Sequence, residues 1–119
     1  MTTTEIEVAA PTQADGTAWP TLEELDVLAA QLPRRSYDSV KYAGVRQPAG
    51  VYVDHQDPNA EVVAWVATVV HGLRNVAAAK RFGYHHGRSV RQAKYACDVR
   101  LHGVNTLIVR RPERCRSLV

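Results

Sequence analysis

The chain reads as a small α+β domain of three to four helices with a short antiparallel sheet. Three observations predict this. Apolar residues recur at helical spacing in segments beginning near Thr21, Asp57 and Ser89. Between residues 39 and 55, β-branched and aromatic residues flank Gln47-Pro48-Ala49-Gly50. The length, 119 residues with 45% apolar content, suits one domain with a buried core.

Residues 1–18 lack periodicity and predict a disordered acidic tail ahead of a single domain over 19–111. In Thr21-Leu22-Glu23-Glu24 the threonine can cap a helix, and Glu24 can reach back to the cap amide. Leu25, Leu28, Ala29 and Leu32 make its apolar stripe, and Pro33 ends it. Arg34 and Arg35 follow at the negative helix end, which gives them a structural role. A hairpin is expected over 39–55, with strands near 39–45 and 51–55 and its turn at 47–50. Asp57 and Pro58 then open a second helix. Val62, Val66, Val69, Leu73 and Val76 recur every three or four residues, a heptad-like seam. The valine content leaves a strand over 61–70 as the alternative. Gly72 should divide the segment into 58–71 and 73–82. Gly83 should close the second piece. From Ser89 a further helix carries Val90, Ala93, Cys97 and Leu101 on one face, with Gly103 as its stop. A strand over 106–110 should join the hairpin sheet, and 112–119 forms a basic C-terminal tail.

Charge divides by position. Residues 1–72 hold 4 Lys/Arg against 10 Asp/Glu, a net of −6; residues 73–119 hold 11 against 2, a net of +9. A concentrated positive field fits a polyanionic partner, duplex DNA above all; an acidic protein is the other candidate.

Within that basic third, Leu73 to Phe82 looks like the first helix of a helix-turn-helix. Ala79 stands where two helices must approach, Gly83 lies at the turn, and Val90 is the first buried position of the second helix. The Gly83–Val90 spacing is one residue longer than the usual motif. The resemblance covers residues 73–102. It implies that the second helix, residues 88–102, enters the major groove by its N-terminal end. Arg88, Arg91, Gln92 and Tyr95 would face the bases, and Lys80, Arg81 and Lys94 would lie beside phosphates.

Other chemistry is poorly represented. His71, His85, His86, Cys97 and His102 do not repeat at the spacings of a closed zinc site, so no metal is expected. Val53-Asp54-His55 resembles the strand-end Asp-His of HNH nucleases, but Asn59 and Asn75 are poor stand-ins for that family's other residues. Cys97 reads as a core residue. No phosphate loop, dinucleotide fingerprint, signal sequence or membrane span is evident, and no cofactor or catalytic residue is implied. The two cysteines fit a reduced, cytoplasmic setting. These readings point to a small DNA-binding protein, regulatory or accessory, with a homodimer through helix 58–71. The alternative is a non-enzymatic protein-binding module: an inhibitor, an antitoxin-like protein or a phage-encoded host-binding factor. A virion or assembly component is a third reading.

Overall fold

The computed structural model describes residues 16–42 and 44–108. The order is α1 (Leu22–Ala30), β1 (Arg34–Tyr37), β2 (Val40–Tyr42), β3 (Val45–Gln47) and β4 (Gly50–Val53). Then come α2 (Pro58–Trp65), a π-helical turn (Val66–Val70), α3 (Asn75–Phe82) and α4 (Gly87–His102). Four α-helices and short antiparallel strands make this the α+β domain expected from sequence. Of the tails expected over 1–18 and 112–119, residues 1–15 and 112–119 lie outside the described residues. No described helix is long and apolar enough to cross a membrane.

The capping box of α1 forms as its sequence dictates. Glu24 N donates to Thr21 Oγ1 at 3.2 Å, and Thr21 N donates to the Glu24 carboxylate at 2.8 Å. Leu25, Ala29 and Leu32 are buried, while Leu28 stays exposed at the edge of the stripe. Arg34 Nη2 donates to the Ala29 carbonyl at 3.1 Å, the helix-end role its position predicts.

The hairpin is longer than expected, and its turn lies elsewhere. β1 pairs with β4 (Arg34↔Val53 to Tyr37↔Gly50), and inside them β2 pairs with β3 (Val40↔Gln47 to Tyr42↔Val45). The reversal falls between Tyr42 and Val45, where Gly44 adopts φ +80°. Pro48 does not make the turn expected at 47–50. It lacks an N–H, and the ladder is interrupted there, splitting one hairpin into two short paired stretches.

Asp57 caps α2 by accepting from Asn59 N at 3.0 Å, and Pro58 takes the first helical position. The valine-rich run is helical and not a strand. Its expected seam does not survive as one face. Val66 is fully buried within the monomer, whereas Val62, Val69 and Val76 are exposed. The π turn shifts the helical phase after Trp65, and Gly72 (φ +77°) stops the helix before Leu73. The core lies between α2 and α4, which share the most extensive helix–helix contact. Ala60, Ala64 and Ala67 from α2 and its π turn, and Ala93 and Cys97 from α4, are all buried.

The strand expected over 106–110 is absent at 106–108; 109 and 110 lie outside the described residues. The backbone there turns to side chains instead of a sheet. Thr106 N donates to Asp98 Oδ2 at 2.5 Å, and Leu107 N and Ile108 N donate to Asn105 Oδ1. Leu101, expected on the buried stripe of α4, is half exposed, while its neighbours Arg100 and His102 meet Glu61 and Trp65 of α2.

Candidate nucleic-acid interface

The segment from α3 to α4 is two helices joined by a tight turn. Gly83 ends α3 at φ +89°, with its N–H and that of Tyr84 both donating to the Ala79 carbonyl at 3.0 Å. The Tyr84 hydroxyl then bonds the Ala60 carbonyl of α2, which fixes the turn against the core. Burial lifts that phenol far above its ordinary titration range. His86 caps α4, its Nδ1 accepting from Arg88 N at 3.1 Å. Val90, Ala93 and Cys97 are buried, the inward phase expected for this helix.

The seven residues singled out from sequence divide into distinct roles. Lys80, Arg88 and Arg91 line one cavity of about 470 Å³ together with Gln47, Asn75 and His86. Among the described residues no acidic side chain lines it. Lys80 and Arg91 make no ion pair among the described residues.

The other four are placed differently. Arg81 is held by α1, its Nε and Nη2 each donating to the Asp26 carboxylate at 2.9 Å. That bidentate pair holds the Asp26 carboxyl below its ordinary range. Lys94 Nζ donates to Asn75 Oδ1 at 2.9 Å and ties α4 to the start of α3. Burial, with Arg91 nearby, makes the Lys94 ammonium easier to deprotonate than an exposed one. Gln92 hydrogen-bonds the His55 ring. Tyr95 is half-buried farther along the helix.

Sequence reasoning missed the surroundings of the turn. His85 is buried, its Nε2 facing the Pro48 carbonyl at 3.1 Å, with its ring 4.6 Å from that of Tyr52 and 5.1 Å from that of Tyr37. What seats His85 inside is the far end of the hairpin, some forty residues earlier in the chain.

Asp54 and His55, the pair resembling an HNH strand end, are engaged locally. Asp54 accepts from Gln56 N at 3.1 Å and pairs with Arg35 at 3.7 Å, while His55 Nδ1 faces the Tyr37 hydroxyl at 3.0 Å. Among the described residues no group of three His, Cys, Asp or Glu side chains is placed to hold a metal.

Burial pushes the Cys97 thiol up to about 11. In a Cys115→Ser background, Cys97 should therefore resist a disulfide reagent at about pH 8 while folded and react fully once denatured. Rapid labelling of the folded protein would show that the α2–α4 contact opens readily.

Comparison of the chain with protein-family models, curated proteins and solved structures gives no match.

Proposed function

We infer that this protein binds duplex DNA through the α3–turn–α4 segment, in a regulatory or accessory role, and works in the cytoplasm. The observation that carries the reading is the convergence of Lys80, Arg88 and Arg91 on one open cavity, which no acidic side chain lines among the described residues. Like charges gathered this way repel one another and favour an anionic partner. The phase of α4 supports the same reading, since it leaves Arg88 and Arg91 outward at the helix start. The roles differ from those expected by sequence. Arg81 and Lys94 act as internal ties. Gln92 would have to release His55 before it could read a base.

A salt titration tests this. With three phosphate contacts, log affinity for duplex DNA should fall against log salt with a slope of about −2.7. Lys80→Ala or Arg91→Ala should each flatten that slope by about 0.9. Arg81→Ala should leave the slope unchanged and act on stability instead. An absence of duplex binding at about 50 mM salt would sink the reading and favour an acidic protein as partner.

A further inference from the structure

A second cavity, about 250 Å³, adjoins the cationic one; the two share Gln47, Val76, Lys80, His86 and Gly87. Its character is different. Tyr52, Tyr84 and His85 give it an aromatic lining, and Ala79 contributes an apolar surface. The two together form one trough between the hairpin and the turn, with cations at one end and rings at the other. Their size is that of a small-ligand site.

Two local details support occupancy. His85 commits Nε2 to the Pro48 carbonyl, and its Nδ1 has no partner among the described residues. Gly87 packs closely at the trough: a Cβ there would lie 3.0 Å from Val76 Cγ2 and 3.3 Å from Val76 N. That close approach brings the start of α3, which has no side-chain cap, against the start of α4.

We propose that the trough binds a single nucleotide, its phosphate over Lys80, Arg88 and Arg91 and its base against Tyr52, with the buried His85 behind that ring. A phosphate with a flat, weakly polar body is the chemistry that matches both ends at once. The nucleotide is either free in solution or the 5′-phosphorylated end of a DNA strand. The inference deepens the proposed nucleic-acid role of this surface, but duplex binding can be measured apart from it.

The test is calorimetric titration of the full chain with dAMP, with inorganic phosphate, and with a single-stranded oligonucleotide carrying or lacking a 5′-phosphate. The expected result is binding of dAMP or of the phosphorylated oligonucleotide, and much weaker binding of phosphate alone. Binding of dAMP identifies a free nucleotide as a ligand; binding of the phosphorylated oligonucleotide alone identifies a strand end. Lys80→Ala should weaken binding by about tenfold or more. Tyr52→Leu should weaken dAMP but not inorganic phosphate, a split that general loss of structure would not give. Val76→Trp should block the trough, with circular dichroism confirming that the variant is folded. Equal affinity for dAMP and inorganic phosphate overturns the proposal, because the aromatic end would then contribute nothing. Duplex binding without any nucleotide or strand-end binding overturns it while leaving the proposed function standing. Loss of duplex binding alone sinks the proposed function and not the trough.

Discussion

Replacing Val66 with Asp should unfold the protein. Val66 is fully buried at the head of the π turn, where the chain leaves α2. A carboxylate there would have no partner, and an unpaired buried charge costs several kcal/mol or forces the group to stay protonated. The whole stability of a domain this size is about 5–15 kcal/mol, so the loss is a large share of it. Val66→Ala should cost about 2 kcal/mol through lost contact and a residual cavity. Val62→Asp is the matched control. Val62 lies one turn earlier at 40% exposure, and a charge there should change stability by about 0.5 kcal/mol or less. Circular dichroism reads folding and light scattering reads association. A folded, monomeric Val66→Asp protein would restore the seam reading and make this stretch a subunit contact. Self-association carried by this stretch would otherwise fall to the exposed Val62 and Val69.

The contrast between these valines shows what the sequence disclosed and what it withheld. Helix starts were legible because their chemistry is local: Thr21 with Glu24, Asp57 with Pro58. So were the stops at Gly83 and Gly103, both in the left-handed region. The inward phase of α4 was legible from Val90, Ala93 and Cys97 alone. The phase of the valine run was not, since a π turn leaves no mark in apolar spacing. Pro48-Ala49-Gly50 carried a stronger turn signature than Gly44, yet its missing donor served to interrupt a ladder. The greatest loss came where residues far apart in sequence meet. Arg81 and Asp26 are 55 residues apart, and Lys94 and Asn75 are 19 apart. A cation that counts toward a basic field in sequence becomes an internal tie once its partner is known. Of the seven, Lys80, Arg88 and Arg91 come to line one cavity, and that cavity needs the hairpin as its second wall.

Removal of the Asp98 carboxylate should be the most damaging single change on α4. In sequence Asp98 is one of only two acids in the basic third, with nothing to mark it. In the fold it is fully buried and organises the end of the domain. Its Oδ1 accepts from Trp65 Nε1 at 3.0 Å and faces His102 Nδ1 at 3.0 Å. Its Oδ2 accepts from Thr106 N at 2.5 Å and Thr106 Oγ1 at 2.8 Å. Thus one side chain joins α2, α4 and the segment after α4. Asp98→Ala would strand buried donors from Trp65 and Thr106, and breaking such a charged network costs about 3–5 kcal/mol. Asp98→Asn would retain the shape but put an amide donor against existing donors, so it should also destabilise. The carboxylate adds a pH signature. Burial alone would raise its pKa, but the bonds from Trp65 and Thr106, with His102 alongside, outweigh that and lower it. An unfolded Asp titrates near about 3.9. Because the folded value is lower, the stabilisation is fully present above that unfolded value. It is lost as pH falls through the folded one, where the carboxylate takes up its proton. Urea unfolding of the wild type should therefore show a midpoint that falls on going from about pH 6 to below about pH 3.9, and Asp98→Ala should lack this part of the fall. If Asp98→Ala lay within about 1 kcal/mol of the wild type and kept the same acid limb, the network would be ornamental. The coupling between the end of α4 and Trp65 would then have to come from apolar contact alone.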